Sequence, residues 1–225
     1  MMKQIPLPIG VDAEPDFDNF VAGDNAAAVD ALRRLSIPSA PVYLWGPSGA
    51  GKTHLLAALA RQMRAEGARV GWFDADTPLP WDFDEGWWLV VIDGAERLDA
   101  ERQHAAFALF VEAATHGAQI AAAGRFPPVD LAVRDDLRTR LGWGQVHALK
   151  PLTEAGTRAA LRREADRRGI FLSDDVMDYL LTRFARDLGS LMALLAQLDR
   201  FSLAERRAVT VPLLKRMVNE EGSHA

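Results

Sequence analysis

The chain has 225 residues, 49% of them apolar, and a formal net charge of −5. That balance excludes a broad, non-specific nucleic-acid surface, which needs clustered excess Lys and Arg. The lack of any cysteine excludes disulfides and thiolate metal sites.

No stretch reaches the length of a membrane span, and residues 1–9 lack the apolar core of a signal peptide. A cytoplasmic location without a membrane partner is therefore expected. Residues 1–15 hold three prolines and little periodicity, which predicts an extended arm. Asp24–Leu35 reads as a first helix with Asp24 or Asn25 near its N-cap. Val42–Trp45 is a short apolar run, bounded upstream by Pro38 and Pro41, with strand character.

Directly after that strand stands Gly46-Pro47-Ser48-Gly49-Ala50-Gly51-Lys52-Thr53, a complete G-x-x-x-x-G-K-[ST]. Its glycines let the backbone wrap a phosphate, its N–H groups point inward, and the following helix adds its positive end. Lys52 is expected on the β- and γ-phosphates and the Thr53 hydroxyl on Mg²⁺. His54–Glu66 is helical in composition and ends at Gly67. A strand before the loop and a helix after it are the context that separates a phosphate loop from a glycine-rich turn.

Ala68–Phe73 is a second strand and residues 74–86 a loop. Trp87–Ile92 is a continuous apolar run that ends in Asp93, as expected of a central parallel strand buried on both faces. A carboxylate there binds Mg²⁺ beside Thr53. The next residue is Gly94, which cannot orient an attacking water. Glu96 lies nearby and is expected to point elsewhere, so intrinsic hydrolysis should be weak, below about 1 per second. A helix over residues 99–116 and a strand over Gln119–Ala123 follow, then the turn Gly124-Arg125-Phe126-Pro127-Pro128. Asp135–Leu141 is a short helix and Val146–Leu149 a fifth strand.

From Pro151 only helices are expected. One is capped by Thr153 and runs to Arg168. A second is capped by Ser173 and runs to about Arg186. A third covers Leu188–Leu203, and a fourth begins at Thr210. The predicted fold is α/β: a five-stranded parallel sheet between helices over residues 16–150, preceded by an arm at 1–15 and followed by an all-α unit at 151–225. Strand order stays open.

Taken together, these motifs resemble the AAA+ module of the DnaA family of replication initiators, and within it the Hda-type regulatory branch. The likeness spans nearly the whole chain. Phe17-Asp18-Asn19-Phe20-Val21 resembles the segment that packs near adenine, so Phe20 and Val21 join residues 47–54, including His54, as the implied ATP or ADP site. Gly124–Pro128 sits where the family has its sensor 1 turn, and the helical tail resembles its lid. Arg138-Thr139-Arg140-Leu141-Gly142-Trp143-Gly144-Gln145 resembles the box that carries an arginine finger. By position Arg140 is that residue, supplied across a subunit interface to a partner's γ-phosphate.

The resemblance further implies DnaA as a partner, with homo-oligomers possible. Gln4-Ile5-Pro6-Leu7-Pro8-Ile9 resembles the motif that binds the β sliding clamp of DNA polymerase III. Prolines hold such a peptide extended, Ile5, Leu7, Pro8 and Ile9 offer apolar contacts, and Gln4 a polar one. The extra helices for single-stranded DNA and the module for sequence-specific duplex binding are not expected here. A helicase-loader-type ATPase and a clamp–DnaA adaptor without effect on hydrolysis are the rival readings. Two positions depart from the family: Arg125 stands where sensor 1 usually has Asp or Asn, and Gly189 stands at the sensor 2 arginine, with Arg186 a turn earlier. Both departures predict poor ATP sensing.

Overall fold

A computed structural model describes residues 14–184 and 187–222. It divides into two compact units, one spanning Pro15–Pro151 and one holding the helices from Leu152 onward. In the first unit a one-turn 3-10 helix, Gly23–Asn25, leads into α1 (Ala26–Arg33). Then follow β1 (Val42–Trp45), α2 (Lys52–Ala65), β2 (Arg69–Phe73), β3 (Trp87–Ile92), α3 (Ala100–His116), β4 (Gln119–Gly124), α4 (Asp135–Gly142) and β5 (Gln145–Ala148).

All five strands are parallel, in the order β2-β3-β4-β1-β5. Alternate residues serve opposite faces. Val42, Leu44, Leu89, Val91, Ala121 and Ala123 pack under α1 and α2. Tyr43, Val90, Ile92, Ile120 and Ala122 pack under α3 and α4. With both faces covered, Leu89–Ile92 of β3 and Ile120–Ala123 of β4 read as unbroken apolar runs because neither side there meets water. The 74–86 loop is pinned by aromatic contacts: Trp81 is buried against Phe73 at 5.0 Å between ring centroids, and Phe83 stacks on His116 at 5.3 Å.

Two element starts differ from expectation for one reason. Asn25 does not cap α1. Its side chain donates to the Lys150 carbonyl and accepts from the Lys150 amide, both at 2.8 Å, so a partner 125 residues away outcompetes the local cap. The last strand runs one residue earlier than its apolar pattern suggests, because Gln145 N–H already donates to Pro41 O at 2.8 Å.

The second unit contains α5 (Glu154–Arg167), α6 (Asp174–Arg183), α7 (Leu188–Glu205) and α8 (Val211–Gly222). Thr153, Ser173 and Asp187 accept from the backbone N–H groups of Gly156, Val176 and Ser190, as N-caps do. The core of this unit is built from Leu161, Leu180, Leu191, Leu195, Leu198 and Leu214, all fully buried. Among the described residues no helix is long and apolar enough to cross a membrane.

Candidate nucleotide site

The sheet order determines where the phosphate loop emerges. β1 lies between β4 and β5, so residues 46–51 leave the carboxyl edge of a strand with neighbours on both sides. That edge is where parallel α/β sheets hold their ligands. Gly46 N–H donates to Gly124 O at 3.3 Å and so lays the loop against the end of β4. A Cβ on Gly46 would stand 2.3 Å from the Leu149 carbonyl oxygen, so only glycine fits there. Gly51 has φ +90°, and a Cβ on it would stand 2.5 Å from Cε2 of Phe20. It turns the chain into α2, whose first turn presents its amides toward the loop.

Phe20 thus sits directly on the loop. Its ring lies 5.3 Å from that of His54, and His54 Nε2 is 3.0 Å from Asp16 O. Arg61 pairs with Asp16 at 2.9 Å. These contacts fasten residues 16–20 along α2, bringing Phe20 and the half-buried Val21 to the same end of the sheet as residues 47–54.

Lys52 Nζ donates to Gly46 O at 2.7 Å and Pro47 O at 2.9 Å, curling over the loop. Burial lowers the Lys52 pKa; the charges of Glu96 and Asp93 oppose that, and Arg125 adds to it. Thr53 Oγ1 donates to Asp93 Oδ2 at 2.6 Å. Asp93 is buried, and that burial raises its pKa against the Thr53 hydrogen bond and the charges of Arg97 and Lys52. A hydroxyl and a carboxylate in contact are hard oxygen donors. They fit a Mg²⁺ ion that takes its other ligands from phosphate and water.

One expectation is overturned. Glu96 does not point away. Gly94, at φ +72°, turns the chain into a one-turn 3-10 helix (Ala95–Arg97) that brings Glu96 back to the site. Glu96 Oε2 accepts from Arg125 N–H at 3.0 Å, and its charge acts on both Lys52 and Asp93. Sequence reasoning also missed Tyr43. Only 1% exposed, it donates its hydroxyl to Phe126 O at 2.9 Å. Burial, then the charge of Glu96, pushes its phenol pKa up. A Cβ on Gly124 would stand 2.1 Å from that hydroxyl. The 124–128 turn is therefore held from two sides. Nothing local in the sequence signals this, since both partners lie far away in the chain.

Arg140 lies in the last turn of α4 and is half-buried. Arg134 pairs with Asp136 at 2.7 Å and Arg138 with Asp135. The Arg140 guanidinium makes no ion pair with any described residue. Trp143, just beyond, is 66% exposed. Gln4, Ile5, Leu7, Pro8 and Ile9 lie outside the described residues, as does Arg186. Gly189 sits in the first turn of α7.

Comparison with known proteins finds the same fold. Residues 154–218 match the family described as Hda, lid domain, and residues 11–79 match that described as bacterial DnaA ATPase domain. Domain III of Thermotoga maritima DnaA superposes with a TM-score of 0.75 at 19% identity, covering 94% of this chain and 98% of that one. Aquifex aeolicus DnaA bound to AMPPCP superposes at 0.70 and 22% identity, covering 94% and 71%. The Thermotoga maritima RuvB branch-migration motor gives 0.60 at 14%, covering 84% and 64%.

Proposed function

We propose that this chain, an AAA+ protein related to DnaA and Hda, is a negative regulator of replication initiation that acts on DnaA's ATP. In this reading it holds ATP or ADP with Mg²⁺ at residues 47–54, with Phe20 and Val21 on the base side and Thr53 and Asp93 on the metal. It binds the DNA-loaded sliding clamp through Gln4–Ile9 and docks on ATP-bound DnaA. Arg140 then meets the partner's γ-phosphate, DnaA hydrolyses its nucleotide, and a second initiation is blocked. Its own turnover is weak, because Gly94 supplies no carboxylate for water and the Glu96 carboxylate is committed to the Arg125 N–H. Residues 1–15, 16–150 and 151–225 serve as clamp-binding arm, nucleotide core and lid.

The observation that carries this reading is the state of Arg140. Its two neighbouring arginines are neutralised by aspartates two and three residues away, while its own guanidinium has no described carboxylate partner. A planar, permanently charged fork left partly exposed is what phosphate recognition across an interface requires. A finger of this kind speeds phosphoryl transfer by about 10³–10⁵.

The test is DnaA ATP hydrolysis with clamp-loaded DNA, with and without this chain. Stimulation should vanish in Arg140→Ala while clamp binding persists. Full stimulation by Arg140→Ala removes the finger and leaves an adaptor. Unchanged clamp binding after deletion of residues 1–10 removes the docking claim.

A further inference from the structure

Gly94 directly follows Asp93 at the carboxyl edge of β3, and the space beside it is taken. A Cβ on Gly94 would stand 2.7 Å from Nε, 3.0 Å from Nη2 and 3.2 Å from Cζ of Arg97. A guanidinium therefore lies where a side chain at position 94 would begin. The backbone that carries it is fixed. Arg97 N–H donates to Gly94 O at 2.8 Å, and Ala95 and Leu98 of the same turn are buried in the core. On the outer side Asp76, in the loop after β2, lies 3.6 Å from Arg97 Nη1. That loop leaves β2 beside the metal carboxylate, because Asp93 N–H donates to Phe73 O at 2.9 Å.

We propose that Arg97 is a second determinant of slow turnover: it holds a cation in the space from which a carboxylate after Asp93 would activate water, and so keeps the chain's own triphosphate intact. The inference rests on the nucleotide-binding reading above. Hydrolysis forms a bond from a water oxygen to the γ-phosphorus while the bond from that phosphorus to the β,γ-bridging oxygen breaks, and the proton of the water must pass to an acceptor. A guanidinium offers five N–H donors, no acceptor, and a permanent charge. Glu96, the carboxylate of the same turn, already accepts from Arg125 N–H. Gly94 and Arg97 thus act as a pair. A carboxylate placed at position 94 would meet the Arg97 fork before it met water, and the two would join in a charge-assisted hydrogen bond. Restoring the acid alone leaves the site silent; the cation must go as well.

Single-turnover hydrolysis of Mg-ATP by the full chain, with calorimetric titration of Mg-ADP beside it, tests this. Aspartate tolerates the positive φ of Gly94 better than most side chains. Gly94→Asp alone should raise the rate less than about three-fold, and so should Arg97→Ala alone. The two together should raise it about 10²-fold, the lower end of what a positioned base contributes. Gly94→Asp with Arg97→Lys should stay as slow as Gly94→Asp, because an ammonium still pairs with the acid. Gly94→Asn with Arg97→Ala, which has the shape but no charge, should stay slow too. Mg-ADP affinity should remain within about two-fold throughout, since neither residue serves the inner phosphates. A gain in either single variant equal to that of the double overturns the proposal, as does a folded double variant with no gain. Should Gly94→Asp lower the urea midpoint sharply, Arg97→Glu puts a carboxylate into the same space with Gly94 intact, and no gain there overturns the proposal equally. Binding of neither nucleotide by the unaltered chain overturns the underlying reading instead.

Discussion

Replacing Gly51 with alanine separates two costs that are usually confounded. At φ +90° an L side chain is strained by about 1–3 kcal/mol. The new methyl would also stand 2.5 Å from Cε2 of Phe20, more than an ångström inside ordinary carbon contact. Phe20 must then swing off the loop and give up its packing on His54 and the core beneath, worth roughly another 1–2 kcal/mol. Gly51→Ala should thus cost about 2–5 kcal/mol. In a Phe20→Ala background the collision is gone and only the strain remains. Urea unfolding of the two single variants and the double variant should show a favourable coupling of about 1–2 kcal/mol. Additivity within about 0.5 kcal/mol would refute the claim that Phe20 seals the loop. Nucleotide affinity should track the same order, with Gly51→Ala worst.

Tyr43→Phe should lower stability by about 1–2 kcal/mol, and the urea midpoint by roughly 0.5–1 M, because Phe126 O loses its donor; an unmoved midpoint contradicts the clamp. Asp93→Asn should stabilise the nucleotide-free protein. Burial raises the Asp93 pKa above its unfolded value, so at neutral pH the ionised form costs folding energy. The same variant should lose Mg²⁺-dependent nucleotide binding, and a lower melting temperature would show the sign to be wrong. His147, whose Nε2 is buried without a partner among the described residues, has its pKa lowered by burial. The unfolded chain then takes up a proton before the folded one. Stability should hold above about pH 6.5 and decline as pH falls from there toward the lower folded value. His147→Leu should flatten that part of a melting-temperature profile, and an unchanged slope assigns it to other groups.

What was legible in the sequence is what depends on neighbours along the chain. The phosphate loop, the apolar runs of β3 and β4, and the caps at Thr153 and Ser173 are all specified within a few residues. The pairing of Thr53 with Asp93 was also inferable, because a loop of this type requires an acidic partner and Asp93 ends the most apolar strand. Glu96 was misread since its direction depends on a single positive-φ residue, Gly94, that reverses the chain. Asn25, Tyr43 and the 124–128 turn were beyond local reading: their partners lie from about 30 to 125 residues away. Strand order belongs to the same class, since β1 pairs with strands synthesised much later.

That pairing has a consequence for biogenesis. β1 is made early, yet both its neighbours, Gln119–Gly124 and Gln145–Ala148, leave the ribosome about 75 to 100 residues afterwards. Until then the cradle lacks the walls that shape Gly46, and the clasp between Asn25 and Lys150 cannot close. During translation the nascent chain should accordingly acquire nucleotide affinity in one late step, once residue 150 is clear of the exit tunnel.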